Sequence, residues 1–304
     1  MRNLLIYSHV DTIARLGSIR KAATVLALTP SALNRRILSL EDELGVQIFE
    51  RLGRGVRLSA AGELLVHLFR RHLADLERTK SQVADMSGLR TGHVTIACSQ
   101  AVLPFFLPEQ IHEYHREHPG VSFKVLIRDG DPAERALLDY SADIAVVFEP
   151  LRLAVFQTLA TVRQPVKAVM SRHHPLARKT KIRLTDCLDY PLALPSAPYA
   201  VRTLLQEAFD RAGARIQPAA EAESYVFLRN FAALGNAIAF EIQIGVPSEL
   251  LDPSLVSVPL DLGGRTEGLL HVAQLRGRTL SVAAASFAQQ IIGALGAGEP
   301  STTA

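Results

Sequence analysis

The sequence predicts a multidomain α+β protein in three parts: a small helical head (residues 1–60), a long linker helix (61–90) and a two-lobed α/β body (91–300). At 304 residues the chain is too long for one ordinary domain. In residues 1–90, 14 Lys and Arg stand against 9 Asp and Glu, whereas the rest of the chain holds 19 against 21. Helical periodicity dominates the first part, and strands alternate with helices in the second.

Composition narrows the class of protein. Hydrophobic residues make up 48% of the chain, which is enough to build buried cores. No apolar run reaches the roughly 18 residues of a membrane helix, and the first residues lack the apolar core of a signal peptide. Two cysteines, Cys98 and Cys187, cannot build a disulfide framework. We therefore expect a cytoplasmic protein with no membrane partner. The basic first part favours a polyanion partner, with chance imbalance as the alternative.

Residues 18–41 predict two short helices joined by a tight turn. Apolar residues from Ile19 to Leu26 have the spacing of an amphipathic helix. Thr29 is a good N-cap for the second helix, and Pro30 suits its first position, where no N–H is needed. Apolar residues then recur at i, i+4 and i+7, as Leu33, Ile37 and Leu40. The pattern favours a helix-turn-helix, and an ordinary helical hairpin is the alternative.

The opposite face of the second helix has the chemistry of DNA recognition. It carries Ser31, Asn34, Arg35 and Leu38. Arginine can pair with guanine and asparagine with adenine through two hydrogen bonds each. Backbone N–H groups and small hydroxyls at a helix start can bind phosphates. A solvated outer face is the alternative reading of the same residues.

Residues 45–58 predict a two-stranded wing. Extended stretches at Val46–Phe49 and Val56–Leu58 flank a glycine-rich tip that carries Arg54. A wing of this kind can place an arginine in the narrow, negative minor groove. Arg51 and Arg57 could clamp the DNA backbone or form surface salt bridges.

A helix of about residues 60–88, capped by Ser59, follows the wing. Its apolar residues have the spacing of threes and fours that suits packing on another helix; they are Leu65, Phe69, Leu76, Val83 and Met86. A second copy of the helix would make a dimer and double the DNA contacts. Packing of the seam on its own domain is the alternative.

Residues 4–65 resemble the winged helix-turn-helix of LysR-type transcriptional regulators. The matching residues keep the order and spacing of that family: Gly17-Ser18, Ala22-Ala23, Leu26, Ser31-Ala32-Leu33-Asn34-Arg35, Ile37, Leu40-Glu41, Leu44-Gly45, Ile48-Phe49, Arg51, Leu58-Ser59 and Ala61-Gly62. The resemblance implies double-stranded DNA as partner, assembly into homodimers and homotetramers, and RNA polymerase as a further candidate partner. It also implies DNA contacts by Pro30, Ser31, Asn34, Arg35 and Arg54. Pro30 replaces the usual glutamine, so we expect a different operator preference.

The body reads as two α/β units. A β-α-β-α-β pattern ends at Phe148, and a second series of strands and helices begins with a predicted strand at Val166–Met170. Ligands of open α/β sheets bind beyond the carboxyl ends of strands and near helix starts. This rule selects seven residues: Ser99, Gln100, Arg128, Phe148, Ser196, Ala197 and Ser224. Helix capping or loop polarity is the alternative for each. Arg128 could grip a carboxylate, or Asp129 and Asp131 could neutralise it.

Parts of the body also resemble the LysR-type effector-binding domain, among them Ala142-Asp143-Ile144-Ala145 and Leu234-Gly235-Asn236-Ala237-Ile238. That domain is similar to periplasmic binding proteins, with a small-molecule effector between two lobes. The resemblance implies lobe I over 91–161 and 268–300, lobe II over 162–267, and Ser99 as the first candidate for an effector contact. It does not identify the effector.

No sequence motif predicts catalysis, a cofactor or a metal site. His112, His115 and His118 are three residues apart, but the third rotates off the shared helix face, so we expect solvated histidines. We expect both cysteines to pack in cores. The sequence therefore favours a DNA-binding regulator that senses a small molecule. An architectural DNA-binding dimer, and a solute-binding protein or enzyme with this body, are the alternatives.

Overall fold

The computed structural model describes residues 2–86, 91–149, 155–247, 252–264 and 267–297. The chain forms two compact units, Met1–Gly88 and Leu89–Ala304. The predicted limits at residues 90 and 300 lie outside the described residues. The boundary at 60 and the lobe boundaries at 161 and 267 stay predictions. Among the described residues, no helix has both the length and the apolar character needed to cross a bilayer.

Over residues 2–86, the amino-terminal unit contains four helices and a two-stranded ribbon. Its elements are α1 (Arg2–Leu16), α2 (Ile19–Val25), α3 (Pro30–Leu44), β1 (Phe49–Arg51), β2 (Val56–Leu58) and α4 (Ala60–Met86). Helix α1 was not predicted, although Ile6, Val10 and Ile13 are spaced for one helix face. Val10 and Ile13 are fully buried in the core of the unit, together with Leu33 and Ile37 of α3.

The first wing strand begins later than predicted. The sequence placed a strand at Val46–Phe49, but β1 covers Phe49–Arg51. Val46 still belongs to the end of α3, because its N–H donates to the backbone carbonyl of Glu41 at 3.2 Å. The Glu41 carboxylate then accepts the N–H of Ile48 (2.7 Å) and of Phe49 (3.0 Å), and ladder pairing with β2 starts at Phe49, opposite Leu58.

The linker helix α4 has different surroundings along its length. Ser59 caps it, since its hydroxyl accepts the N–H of Gly62 at 2.9 Å. In its first half, Phe69 is buried and stacks on Tyr7 of α1 with ring centroids 4.0 Å apart. Near its end, Val83 and Met86 are 60% and 88% exposed. The first half of the predicted seam therefore packs within its own unit, and the last part lies on the surface.

The carboxyl-terminal unit is a mixed α/β structure, and its described residues include short 3₁₀ turns at 100–102, 184–187 and 243–245. Its strands are β3 (Gly92–Cys98), β4 (Val121–Ile127), β5 (Ile144–Phe148), β6 (Phe156–Ser171), β7 (Ile182–Arg183), β8 (Leu192–Pro195), β9 (Pro218–Ala222), β10 (Ile238–Ile242), β11 (Leu255–Asp261) and β12 (Glu267–Leu275). Its helices are α5 (Phe106–Glu117), α6 (Asp131–Leu138), α7 (Ala200–Arg211), α8 (Tyr225–Ala233) and α9 (Val282–Ala297).

Two parallel groups of strands are joined through antiparallel neighbours. The strand order is β4-β3-β5-β12-β6-β10-β8-β9, and β11 pairs with β6 and β7. Strand β3 runs parallel to β4 and β5, and β8 runs parallel to β9 and β10. We call the group around β3 the first half of the unit and the group around β8 the second half. In each group, the carboxyl ends of the parallel strands meet at one edge.

Strand β6 connects the two halves and is longer than predicted. The sequence indicated only Val166–Met170, but the strand runs from Phe156 to Ser171. Its first part pairs with β12 and its second part with β10 and β11. The first part was missed because it is partly exposed and carries polar residues between the apolar ones.

Candidate nucleic-acid interface and ligand cleft

Helix α3 presents its polar face to solvent. Thr29 caps the helix, because its hydroxyl accepts the N–H of Ala32 at 3.2 Å, and Pro30 occupies the first turn. Leu33 and Ile37 are buried beneath the helix, whereas Pro30, Ser31 and Arg35 are exposed. Burial of the apolar stripe thus fixes which side chains of α3 can reach a partner.

The other polar residue of this face, Asn34, is already engaged. It is half-buried, and its Oδ1 accepts a hydrogen bond from Nη2 of Arg51 at 3.0 Å. Arg57 forms an ion pair with Glu50 at 2.7 Å. Arg51 therefore holds the wing to α3, and Arg57 links the two strands of the wing. If Asn34 contacts a base, its side-chain carbonyl must accept from Arg51 at the same time.

The wing is anchored at its base and exposed at its tip. The N–H of Leu52 donates to the carbonyl of Gly55 at 3.1 Å, which closes the turn that carries the exposed Arg54. Gly55 has φ of +88°, a left-handed conformation that favours glycine. A Cβ there would lie 2.4 Å from the carbonyl oxygen of Gly17. The space is this small because the N–H of Val56 donates to the same Gly17 carbonyl at 2.9 Å, which holds the wing against the turn between α1 and α2.

Several cations on the amino-terminal unit lack a protein counter-charge. Within the described part of this unit, seven Lys and Arg residues make no ion pair: Arg20, Lys21, Arg35, Arg36, Arg51, Arg54 and Arg71. Cations that are not neutralised by the protein can replace the counterions of DNA phosphates. The excess positive charge predicted from the sequence therefore lies on side chains that can bind a polyanion at the surface of this unit.

In the carboxyl-terminal unit, Ser99 ties together the ends of three parallel strands. It follows β3 and is only 2% exposed. Its hydroxyl donates to Oδ1 of Asp129, just after β4, at 2.6 Å, and accepts the N–H of Phe148, at the end of β5, at 2.9 Å. Both contacts hold Ser99 in place, so its first role is to position Asp129 at the strand ends.

Asp129 is a carboxylate in a poorly solvated position. Burial raises its pKa to about 6, while the hydrogen bonds from Ser99 and from the Gly130 backbone act in the opposite direction. The described residues contain no ion-pair partner for it. Asp129 was not predicted as a ligand residue, although it follows the same strand as Arg128, which was selected because it lies at the carboxyl end of that strand.

Gln100 bridges the two halves of this unit. Its side-chain Nε2 donates to the hydroxyl of Tyr199, at the start of α7, at 3.1 Å. The same nitrogen donates to the backbone carbonyl of Glu223, just before α8. One amide from the first half therefore contacts two segments of the second half.

A cavity of about 830 Å³ opens beside this bridge. Of the seven predicted ligand residues, Arg128 and Ala197 line it. The guanidinium of Arg128 is exposed and donates to the carbonyl of Ile127 at 2.8 Å. Tyr199, Glu207 and Glu223 also line the cavity. They were not predicted because they come from α7 and from the loop before α8, and only the folded chain brings them opposite Asp129.

The other predicted ligand residues make contacts within the protein. The hydroxyl of Ser224 accepts the N–H of Phe227 at 3.3 Å and so caps α8. The backbone N–H of Ser196 donates to Ala222 at 3.0 Å. The ring of Phe148 packs against Gly268, where a Cβ would lie 2.2 Å from the ring. These three residues shape the surroundings of the cavity.

Neither cysteine has the properties of a reactive thiol. Cys98 and Cys187 are fully buried, and burial raises the pKa of each thiol to about 12. A thiol with so high a pKa carries almost no thiolate at neutral pH. Within the described ranges, no three His, Cys, Asp or Glu side chains are grouped so as to hold a metal ion.

Comparison with known proteins identifies both units. Residues 8–63 match the bacterial regulatory helix-turn-helix protein, lysR family, and residues 87–296 match the LysR substrate binding domain. A probable nitrogen assimilation transcriptional activator of Synechococcus elongatus is 25% identical over 250 residues, 81% of each chain. A full-length OxyR variant of Pseudomonas aeruginosa superposes with a TM-score of 0.72 at 19% identity, covering 96% of this chain and 94% of that chain. Full-length CbnR, solved with its target DNA, gives a TM-score of 0.64 at 17% identity over 95% and 98%.

Proposed function

Because the chain belongs to the LysR family of transcriptional regulators, we propose that it binds a specific DNA operator through α3 and the wing, under control of a small molecule in the cavity of its carboxyl-terminal unit. The observation that carries the DNA part is the exposed face of α3, where Ser31 and Arg35 stand opposite the buried stripe. The unpaired Arg35 can pair with guanine, and Arg54 on the wing can enter the minor groove. This activity requires neither catalysis nor a cofactor, and we infer that the protein acts in the cytoplasm, where the DNA lies.

The cavity supports the control step. It lies between segments of the two halves, so a ligand that contacts both would bind one arrangement of the halves more tightly than another. Ligand binding can change DNA binding only if the ligand has different affinities for these arrangements. A change in DNA binding at a promoter would then change transcription by RNA polymerase.

The first experiment replaces Arg35 by alanine in the full-length protein. We expect operator affinity in a gel-shift assay, on DNA flanking the protein's own gene, to fall roughly ten- to a hundredfold, the cost of one bidentate base contact. Discrimination against competitor DNA should fall with it. The Arg135→Ala variant is the matched control, because it removes one exposed cation from α6. Unchanged binding by Arg35→Ala would show that α3 does not read the operator.

We also propose that α4 pairs with a second copy of the chain. Val83 and Met86 are exposed apolar residues on the predicted seam, and Val83 lies two heptads after the buried Phe69. Two copies would present two DNA-binding units to one operator, and pairs of dimers would form the tetramer that the resemblance implies.

Replacing Val83 by glutamate tests this pairing. An unpaired charge on a buried helix seam costs several kcal/mol, so the dimer should dissociate at a protein concentration at least roughly tenfold higher. Sedimentation velocity measures the change. Gln82→Glu adds the same charge at the adjacent exposed position and should sediment as the unmodified protein does. If both variants remain dimeric, the chains associate through another surface.

A further inference from the structure

The side chains around the cavity in the carboxyl-terminal unit are strongly biased in charge. Among the described residues that line it, one is basic and five are acidic. The basic residue is Arg128, and the acidic residues are Asp129, Asp131, Glu149, Glu207 and Glu223. Acidic groups of one sign around a low-dielectric recess concentrate cations and repel anions. The cavity and the family match indicate where a ligand would bind, and the acidic residues favour a ligand with positive charge.

Asp129 supplies the clearest anchor for a cation. It is held by Ser99 at 2.6 Å, yet the described residues give it no ion-pair partner. A carboxylate removed from water without a counter-charge is unfavourable, and an ammonium group bound beside it would remove that cost. Its raised pKa, about 6, is the sign of this uncompensated burial.

The arrangement suits an extended organic cation better than a metal ion. The acidic residues come from both halves, with Asp129 in the first and Glu207 in the second, and no three of the described ones are grouped to hold a metal. Apolar surface lies between the charges, at Pro132, Pro198 and Leu204. Methylene groups can pack there, and the ring of Tyr199 can also receive an ammonium group.

We propose that this cavity binds an aliphatic amine with two or more ammonium groups, one of them on the Asp129 carboxylate and another near Glu207 and Glu223. This inference rests on the proposed function, which makes the cavity the control site. Carboxylates on both halves repel each other across the gap, and a cation between them reverses that repulsion. Binding therefore favours an arrangement in which the two halves approach, and this supplies the difference in affinity that control requires.

Isothermal titration calorimetry on the full-length protein tests the charge preference. The probe is putrescine, compared with succinate and butanediol, which have four-carbon chains that end in carboxylates or hydroxyls. We expect heat of binding with putrescine and none with the other two. Binding of succinate in preference to putrescine, or no binding of putrescine to the folded protein, would overturn the proposal.

Three variants localise the binding. Asp129→Asn keeps the shape and the Ser99 contact but removes the charge, and it should weaken putrescine binding roughly ten- to a hundredfold. Glu207→Gln, at an exposed position on α7, should weaken it by a smaller factor and keeps the test valid if the first variant folds poorly. Glu113→Gln removes an exposed acid of α5 outside the cavity and should bind as the unmodified protein does. If all three variants bind putrescine with the same affinity, the amine binds outside this cavity and the proposal is wrong.

A gel shift with the operator separates the two hypotheses. If putrescine binds at Asp129 but the protein shifts no DNA, the proposed function fails and the charge preference of the cavity stands. If the operator is bound but the amine is not, the charge preference fails alone. When both hold, putrescine should change operator affinity in the unmodified protein and not in Asp129→Asn.

Discussion

Replacing Gly62 by alanine is expected to destabilise the amino-terminal unit by roughly 1–3 kcal/mol or more, the range for forcing an added group into a packed site. Gly62 lies in the first turn of α4, and a Cβ there would lie 2.0 Å from the carbonyl oxygen of Ile48 and 2.9 Å from its carbonyl carbon. Both are backbone atoms. No rotation of a side chain can relieve this overlap.

The Ile48 backbone has little freedom to retreat. Its N–H donates to the Glu41 carboxylate at 2.7 Å, and its carbonyl accepts the N–H of Ser59 at 3.0 Å. Moving it would break the contacts that join α3 to the wing and the wing to α4. Since whole domains are stable by only about 5–15 kcal/mol, the loss should lower the first thermal transition and reduce operator binding together.

Gly293→Ala is the matched control for this substitution. Gly293 is also a helical glycine, in α9, but no atom lies within 4 Å of the position of its Cβ. Alanine there should be neutral or stabilise by up to about 1 kcal/mol, because it lowers the conformational entropy of the unfolded chain. Thermal unfolding of both variants, followed by circular dichroism, measures the contrast. Equal melting curves would mean that the wing adjusts to the methyl group at no cost.

The helix-turn-helix could be predicted because its signals are local. Thr29, Pro30 and the spacing of Leu33 and Ile37 lie within nine residues, and the structure places the start of α3 and its buried face as these residues predict. The start of β1 could not be predicted in this way. It depends on how α3 ends, since the N–H of Val46 still bonds to the carbonyl of Glu41 and the Glu41 carboxylate takes two further backbone donors, seven and eight residues away.

The cavity illustrates the same difference at longer range. Ser99 and Arg128 were predicted because they follow the carboxyl ends of strands. That rule does not indicate which side chains contact each other. The hydrogen bond from Ser99 to Asp129 spans 30 residues, and that from Gln100 to Tyr199 spans 99. Such contacts depend on the order of strands in the sheet, in which β12 and β6 lie between the parallel strands of the first half and those of the second half. Neither leaves a periodic signal in the sequence.

A second large effect is expected from Glu241→Gln, and it depends on pH. Glu241 lies in β10 and is only 1% exposed, and neither carboxylate oxygen has a hydrogen-bond partner among the described residues. Arg229 is 3.7 Å away, but the nitrogen that faces Glu241 also donates to the carbonyl of Gly245 at 2.9 Å. Burial raises the pKa of Glu241 to about 8, and Arg229 only partly opposes this.

The sign of the effect follows from proton linkage. The folded state holds the Glu241 proton up to about pH 8, whereas the unfolded chain releases it near the ordinary value of 4.5. Between these values the folded state binds more protons, so this group's contribution to stability is complete below about pH 4.5 and is lost as the pH rises towards 8. Glutamine stays neutral and lacks this dependence. The free energy of unfolding of the unmodified protein should therefore fall relative to that of Glu241→Gln, by a few kcal/mol in order of magnitude, as the pH rises through this range.

Urea unfolding at several pH values between about 5 and 9 measures that difference directly, because other titrating groups act equally on both proteins. Glu113→Gln removes an exposed carboxylate of α5 and should give a curve parallel to that of the unmodified protein. If the Glu241→Gln curve is parallel as well, Glu241 is already ionised in the folded state at pH 5. The Arg229 guanidinium, although it also donates to the carbonyl of Gly245, would then compensate the buried charge fully, and Glu241 and Arg229 would form an ion pair.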